Sequence, residues 1–497
     1  MTNRNLVRII RFAALAAFAL TALAAEPELL LKPTKSPLVT FRIVFRTGAA
    51  FDSAGKEGAA ALTAAMLSSG GSQKMSYDEI VDAFFPMAAA VSAQVDKEMT
   101  VFEGTTHAEN LDAYYEILRQ MLLEPGWREE DFTRLKDEAL NALRIELRSN
   151  NEEELGKEYL YLEIYEGHPY GHQTSGTISS LEAMTLEDLK AFYEANYWQS
   201  NLTIGLAGGY PENFPARVKK DFEVLPDNVS EGTVLPQPKP AKKLRVHIIE
   251  KETRSTLISL GFPIEVTRRH PDWPALKLVQ SYLGQHRSSK SHLYQRIREI
   301  RGMNYGDYAY IEYFPRGMFL TQPEPNLARR QQIFQIWIRP VVPQNGLFAL
   351  KIAMHELDKL VSEGIPANDF FATQRFLSKY VNLLTQTQSN ELGYALDAAH
   401  YGMPDFNGWI KDQINGLSID AVNQAIRKHL RATDLDIVII TKDAQAMRRA
   451  LQTGARATPL YATPPTDDIL AEDKIIVDYK LDVGSIEIVP AETIFEK

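Results

Sequence analysis

The sequence has no cysteine among its 497 residues. A chain without thiols forms no disulfide bond, has no cysteine nucleophile and offers no thiolate to a metal ion. It also lacks an excess of positive charge, because 54 lysine and arginine residues stand against 64 aspartate and glutamate residues, a net charge of −10. A broad nucleic-acid-binding surface would need a basic patch or stripe, so we expect no nucleic acid as a partner.

Familiar catalytic motifs are absent as well. None of the ten histidines lies in an HExxH or HxxEH pattern, the helical arrangements that hold zinc in metallopeptidases. The sequence also has no G-x-S-x-G nucleophile motif, no phosphate-binding P-loop and no dinucleotide-binding glycine pattern. Taken alone, the residues give no catalytic signature.

The segment HPYGH, with His168 and His172 four residues apart, is the nearest approach to a metal motif. Glu166 lies close enough in sequence to complete a ligand set, so a metal site is one interpretation. Pro169 and Gly171 predict a loop instead of a single helix face. We therefore favour a structural turn.

The first 25 residues are typical of a secretory leader. Three arginines, Arg4, Arg8 and Arg11, accompany an apolar stretch of about 14 residues, and the sequence ALA at 22–24 offers a small-residue cleavage site. The stretch is short for a membrane span, which needs about 20 residues. Retention as an uncleaved anchor is the alternative. We predict a cleaved signal peptide at 1–25 and a periplasmic protein.

After this leader the chain divides into two halves of similar layout. Each has a strand pattern, a helix, further strands, long helices and a closing strand, over about 200 residues. A segment rich in proline and polar residues, 228–243, separates them. We predict an N-terminal domain at 26–227, a C-terminal domain at 244–452, and a tail at 453–497 that packs on the fold or stays extended. The predicted fold class is α+β.

The first half opens with a strand pattern followed by an unusually apolar helix. Val39, Phe41, Ile43 and Phe45 alternate with mostly polar residues, which predicts a half-buried strand. The stretch EGAAALTAAMLSSGG follows at 57–71. Its pattern alone is that of a tightly packed core helix.

In its position this helix resembles the zinc-binding helix of the pitrilysin/insulinase-type inverted-zincin peptidases. Members of that family carry G-x-A-H-x-x-E-H-M-L after a strand and a glycine-containing loop, and the same frame here reads GAAALTAAML. Two further segments, HPYGH…SGT…LEAMTLEDLKAFYEANYWQSNLTIGLAGG and SHLYQRIREIRGMNY, resemble family segments of the two halves. The resemblance covers roughly residues 36 to 450 and implies two peptidase-like α/β-sandwich domains, each a mostly antiparallel sheet covered by helices.

The resemblance also implies that the zinc motif is lost. Ala61, Ala64 and Ala65 stand where the first histidine, the glutamate base and the second histidine would be. An alanine methyl group supplies neither a lone pair for zinc nor a base for water. Glu138 or Glu146, on the helical stretch LKDEALNALRIELR, would be the remnant of a third ligand. We therefore expect this chain to bind no metal of its own.

An arginine and a tyrosine remain that match a second feature of the family. Its members have an R-x6-Y pair that holds the substrate backbone or the scissile carbonyl near the metal, and Arg298 and Tyr305 have this spacing. A guanidinium and a phenol are both donors suited to a developing oxyanion. The alternative interpretation is a surface arginine and a core tyrosine.

Some members of the family are heterodimers in which one subunit carries the zinc motif and the other carries the arginine and tyrosine. The leading hypothesis is accordingly the non-catalytic subunit of a periplasmic heteromeric zinc peptidase. The resemblance implies an HxxEH-containing partner subunit that holds the zinc, and peptide substrates. The alternatives are a stand-alone peptide-binding or assembly protein and, third, an active metallopeptidase with unusual ligands.

One departure from the family pattern concerns the start of the fold. Members usually begin with a strand of the type L.NGL.V, whereas here only EPELLLKPTK precedes the first alternating run. The first edge strand is therefore expected to be truncated or absent. An exposed sheet edge would be open to pairing with a partner.

Overall fold

The computed structural model describes residues 26–228 and 234–497. The predicted leader, and residues 229–233 of the predicted linker, lie outside the described residues. Among the residues that are described, none of the helices combines the length and the apolar character needed to cross a bilayer.

The first half forms a five-stranded sheet with the order β1-β5-β2-β4-β3. Strand β1 pairs with β5 in parallel, and the other three pairings are antiparallel. The edge strand that we expected to be truncated or absent is therefore present, because the ELLLKP segment pairs along its whole length with β5. The strands are β1 (Glu28–Pro33), β2 (Leu38–Phe45), β3 (Ser92–Val95), β4 (Thr100–His107) and β5 (Leu202–Gly208).

The second half forms a six-stranded sheet with the order β11-β6-β10-β7-β9-β8. Strands β11, β6 and β10 are parallel to one another, and the other pairings are antiparallel. The segment predicted as a tail, 453–497, supplies the edge strand β11. The strands are β6 (Leu244–Glu250), β7 (Thr256–Ile264), β8 (Asp307–Tyr310), β9 (Gln332–Val341), β10 (Asp436–Thr441) and β11 (Val483–Pro490).

The helices are distributed between the two halves, and two segments have π-helical geometry. The helices of the first half are α1 (Ala59–Ser69), α2 (Tyr77–Phe84), α3 (Leu111–Leu123), α4 (Glu129–Asn141), α5 (Glu152–Ile164), α6 (Ile178–Ala183), α7 (Leu186–Asn196) and α8 (Phe214–Phe222). Those of the second half are α9 (Trp273–Gly284), α10 (Gly346–Glu363), α11 (Ala367–Tyr380), α12 (Gln388–His400), α13 (Phe406–Gly416), α14 (Ile419–His429), α15 (Ala444–Thr453) and α16 (Asp467–Val477). The π-helical segments are Ala142–Leu147 and Tyr294–Glu299.

One helix from each half crosses to the sheet of the other half. Helix α5 packs on β7 and β10, and α12 packs on β2 and β5. Each crossing helix has a glycine at the contact, where the other half approaches closely. If Gly156 carried a Cβ, that atom would lie 3.5 Å from the side chains of Ser259 and Ile440. A Cβ on Gly393 would lie 3.3 Å from the guanidinium of Arg42. The hydrophobic core of the first half accordingly extends to residues of the second sheet, such as Val438.

This crossing explains why one strand is more buried than its pattern predicts. The alternation in β2 predicts one buried face, yet its polar face is buried too, with Arg42 only 4% exposed. The Arg42 side chain donates from Nη2 to Ser389 Oγ (2.9 Å) and from Nη1 to Asn326 Oδ1 (2.9 Å), both in the second half. The predicted fold class, two domains that each have a mostly antiparallel sheet covered by helices, is confirmed.

Candidate functional site

Helix α1 is fixed at its N-terminus by the carboxylate of Asp52. The helix follows Gly58, which has a left-handed φ of 98° and offers no side chain to cap the first turn. Asp52 Oδ2 accepts from the backbone N–H of Gly58 (2.7 Å) and Oδ1 accepts from that of Ala60 (2.8 Å). Negative charge at this end of a helix satisfies free N–H groups and is favoured by the helix dipole.

The HPYGH segment supports this loop from the other side. His172 Nε2 lies 3.2 Å from Asp52 Oδ2, and the buried ammonium of Lys97 donates to the carbonyl oxygen of His172. Burial lowers the pKa of Lys97 to about 8. Within the segment, His168 Nδ1 accepts from the backbone N–H of Tyr170 (2.9 Å). Neither histidine belongs to a group of three metal-ligating side chains in the described part of the chain. The segment acts as the structural turn that we favoured.

The three alanines of the lost motif lie at or beneath the floor of a cleft. Ala61 and Ala65 line a cavity of about 580 Å³, whereas Ala64 is fully buried beneath them. Glu138 lines the same cavity and accepts a hydrogen bond from Arg134 (3.2 Å). Among the side chains at these four positions, only Glu138 carries a group that could bind zinc, and one carboxylate does not make a zinc site.

The walls of this cleft come from both halves. On one side lies β3, the last strand of the first sheet, and on the other lies a loop of the second half that includes Tyr313 and Arg316. Gln94 ties the two sides together, because its side-chain amide donates to the carbonyl oxygens of Pro325 and Asn326 (3.0 Å each). An edge strand beside a cleft is suited to pairing with an extended peptide.

A second cavity of about 600 Å³ adjoins the first and shares Tyr313 and Arg316 with it. Glu146, on the π-helical segment 142–147, lines this second cavity together with Glu154 and Glu158. Burial raises the pKa of Glu158, whose carboxylate accepts from the hydroxyl of Tyr313 (2.7 Å). We refer to the two adjoining cavities together as the groove; the two predicted remnants of a third ligand, Glu138 and Glu146, line different cavities of it.

The arginine and tyrosine of the R-x6-Y pair lie elsewhere. Arg298 is on the π-helical segment Tyr294–Glu299, where its guanidinium forms an ion pair with Glu299 and lies 5.1 Å from the ring centre of Tyr294. Tyr305 precedes β8 and is 75% exposed. This exposure excludes the alternative of a core tyrosine. Neither residue is among those that line the groove in the described part of this chain.

The segment that carries Arg298 is anchored by carboxylates from α10 and α16. Glu356 binds His292 Nε2 (2.7 Å) and Arg296 Nε (2.9 Å), and Arg301 donates to Asp473 (2.9 Å) and to Glu472 (2.7 Å).

Burial alone would raise the pKa of Glu356, but the bonds from His292 and Arg296 outweigh it and lower the pKa to about 2. Helix α16 is not predicted from the sequence, since it lies in the segment predicted as a tail. The role of Asp52 is not predicted either; the signal that could have found it is the position of this aspartate, six residues before the glycine that precedes α1.

Comparisons with known proteins agree with this architecture. A family model described as "Insulinase (Peptidase family M16)" matches residues 29–178, and one described as "Peptidase M16 inactive domain" matches residues 183–377. A protein named non-peptidase homolog YmxG, from Helicobacter pylori, is 21% identical over 418 residues, which cover 82% of this chain and 89% of that protein. Other relatives are named uncharacterized zinc proteases.

Solved structures share the fold. The M16 inactive domain from Pseudomonas fluorescens superposes with a TM-score of 0.73 at 21% identity, covering 84% of this chain and 96% of that one. The periplasmic protease PqqL from Escherichia coli gives a TM-score of 0.67 at 16% identity, covering 92% of this chain but 49% of the longer protein. The two halves described above thus recur in proteins of low sequence identity.

Proposed function

Because the chain belongs to the M16 (insulinase) peptidase family and lacks its zinc motif, we propose that it is the non-catalytic subunit of a heteromeric zinc peptidase. One observation carries the proposal: alanines occupy the motif positions at the floor of a groove whose supporting contacts are complete. A zinc ion held by an HxxEH-containing partner of the same family would supply the activated water. This chain would supply binding surface and hydrogen-bond donors.

The positions of Arg298 and Tyr305 support action on a second chain. Both lie outside the groove of their own chain, and the phenol of Tyr305 is largely exposed to solvent. The ion pairs of Arg296 and Arg301 hold the segment between them in place. The guanidinium of Arg298, held on this segment, and the exposed phenol of Tyr305 could then donate to the carbonyl of a peptide bound at the partner's site.

The groove supports a role for this chain in holding peptides. Strand β3 is an edge strand whose residues line the groove, so its unpaired backbone groups could bond to an extended segment. A peptide held there meets the methyl groups of Ala61 and Ala65 where a catalytic chain has its metal ligands. It would be bound and not cleaved. This is also the observation that favours the second candidate, a stand-alone peptide-binding protein.

We place the protein in the periplasm. The support is the arginine-flanked apolar stretch of residues 1–25 with its small-residue cleavage site. The fold neighbour PqqL is a periplasmic protease. Peptides are the substrate class that follows from the family and from the groove.

The test uses the complex of this chain with an HxxEH-containing protein of the same family, which the proposal expects to co-purify with it. Arg298→Met and Tyr305→Phe should each lower kcat of the complex by about 100-fold, the typical cost of removing one oxyanion donor. Arg254→Met, an exposed arginine away from the groove, is the matched control and should leave kcat unchanged.

The other outcomes separate the alternatives. Unchanged activity with both variants, together with peptide binding by this chain alone, would favour the stand-alone peptide-binding protein. Peptide hydrolysis by this chain in the absence of any partner would show an active peptidase with unusual ligands and would overturn the proposal.

A further inference from the structure

Three side chains from distant parts of the second half meet at the ends of two helices. Asp272 directly precedes α9, and His270 lies two residues before Asp272. His429 is the last residue of α14. His429 Nε2 is 2.7 Å and His270 Nδ1 is 3.9 Å from the same oxygen, Asp272 Oδ2. In the described part of the chain this is the one group of three or more metal-ligating side chains whose ligand atoms all lie within 4.8 Å of one another.

The spacing of these atoms is close to that of a tetrahedral metal site. Zinc bonds of about 2.0–2.2 Å to histidine and carboxylate place two ligand atoms roughly 3.3 Å apart. The two distances to Asp272 Oδ2, 2.7 Å and 3.9 Å, lie on either side of that value. All three ligand atoms lie within 4.8 Å of one another, so the side chains have to move closer before they share one ion. His270 Nδ1 now accepts a hydrogen bond from the backbone N–H of Asp272 (3.0 Å), and this bond is exchanged for the metal on binding.

The chemistry of the set also suits a transition metal. Imidazole and carboxylate are common zinc ligands, and two histidines with one carboxylate leave a further coordination position open. His270 and His429 line a cavity of about 720 Å³, into which Arg431 and Lys428 also project. A metal held between the two imidazoles would lie at the wall of this cavity, within reach of an anionic ligand.

One group competes for the carboxylate. The ammonium of Lys428 lies 2.7 Å from Asp272 Oδ2, the oxygen that also binds His429. The Lys428 side chain is 62% exposed, so it can leave for solvent when a divalent ion replaces it. This competition lowers the affinity for a metal, so a substitution of Lys428 should raise that affinity.

We propose that His270, Asp272 and His429 bind one divalent transition-metal ion, with Zn²⁺ as the expected occupant. The site joins the start of α9 to the end of α14 and does not depend on the proposed role in a heteromeric peptidase. It revises the expectation that this chain binds no metal of its own, at a place where no local sequence motif exists.

The test is a metal titration of the full chain, purified without a histidine tag and stripped with a chelator. Zn²⁺ is titrated in competition with a chromophoric chelator, and Co²⁺ is used to read the coordination number from its visible spectrum. We expect one equivalent of Zn²⁺ with micromolar or tighter affinity and a four- or five-coordinate Co²⁺ spectrum. His270→Gln and His429→Gln should each weaken binding by about 100-fold or more, since loss of even a supporting residue costs 10–100-fold.

Two further variants make the result specific. Lys428→Met should strengthen Zn²⁺ binding several-fold, because it removes the competing ammonium from Asp272. His107→Gln, a partly exposed histidine at the end of β4 outside this cluster, is the matched control and should leave the Zn²⁺ affinity unchanged. Circular dichroism melts show that each variant is folded. The proposal is wrong if the unmodified chain binds no Zn²⁺, or if both histidine variants retain its full affinity.

Discussion

Under the proposed function, the surroundings of α1 in the first half and of Arg298 in the second half correspond to opposite parts of a peptidase site. Around α1 the supporting contacts of Asp52 and His172 are complete, but the motif positions carry only methyl groups. Around Arg298 the donor groups are present, but they lie outside the groove of their own chain. The first half has the shape of the site without its ligands, and the second half has donors without a metal beside them.

This difference shows that the residues that hold α1 in place are not the residues that would bind a metal or a substrate. Asp52 satisfies backbone N–H groups of α1, a need that exists whether or not a metal is bound nearby. Ligand side chains on α1 have no such role in folding, and alanines leave no polar group there buried without a partner. Loss of the ligands therefore need not disturb the fold, whereas loss of the support would.

The two regions can be parts of one site only if the two halves form one folded unit. The largest effect is expected at the buried pair of Asp96 and Arg329, which joins the halves. Arg329, from the second half, donates from Nε to Asp96 Oδ2 (2.7 Å) and from Nη2 to Oδ1, and both side chains are 1% exposed. Asp96→Ala would leave the guanidinium buried without its counter-ion. We expect the free energy of unfolding in urea to fall by about 3–5 kcal/mol.

The exposed pair of Glu252 and Lys442 is the matched control for that prediction. Its side chains are 81% and 62% exposed, and Glu252→Ala should cost less than about 1 kcal/mol. The double variant Asp96→Leu with Arg329→Met should be more stable than Asp96→Ala alone, because neither member of the pair is then left buried without its counter-ion. Two separate unfolding transitions in the unmodified protein would show that the two halves fold independently and do not form one unit.

The sequence predicts the helices and strands better than it predicts which of them pack against one another. The alternating run at β2 and the closing strand at β10 are found where the patterns indicate. What the patterns do not contain is the crossing of α5 and α12, because helical periodicity shows that a helix has an apolar face but not which sheet covers it. The burial of Arg42 and the placement of β11 follow from such long-range contacts.

The candidate sites show the same limit. Ala61 and Ala65 are found from the sequence because they stand in a continuous local frame. His270 and His429 are brought together only by the packing of α9 against α14, so no local motif connects them. The placement of Arg298 and Tyr305 relative to a partner remains a prediction.

A pH-dependent prediction concerns the second half alone. Burial, with smaller contributions from the charges of Lys157, Arg287 and Arg339, lowers the pKa of His286 from 6.5 to about 4, although its bond to Leu320 acts in the opposite direction. Between these pH values the unfolded chain binds a proton that the folded chain does not. Stability should therefore fall as the pH is lowered from 6.5 to 4, with a contribution from His286 of about 2–3 kcal/mol.

His286→Gln tests this by difference. Glutamine can still donate to the carbonyl oxygen of Leu320 and accept from the hydroxyl of Tyr310, the two bonds that His286 makes (2.9 Å each). Urea unfolding at pH 6.5 and at pH 4 should show a smaller acid loss in the variant than in the unmodified protein. An equal loss in both would place the acid sensitivity elsewhere.

The smallest effect is expected at the support of α1, and it addresses the comparison most directly. Asp52→Ala removes the acceptors for the backbone N–H groups of Gly58 and Ala60 and the contact with His172, at a cost of about 1–2 kcal/mol. Asp52→Asn keeps one side-chain oxygen and should cost less. Hydrogen exchange should accelerate in the first turn of α1 and remain unchanged in the segment 294–299. If exchange rose equally in both places, the two regions would be one coupled unit, and the separation of support from chemistry would fail.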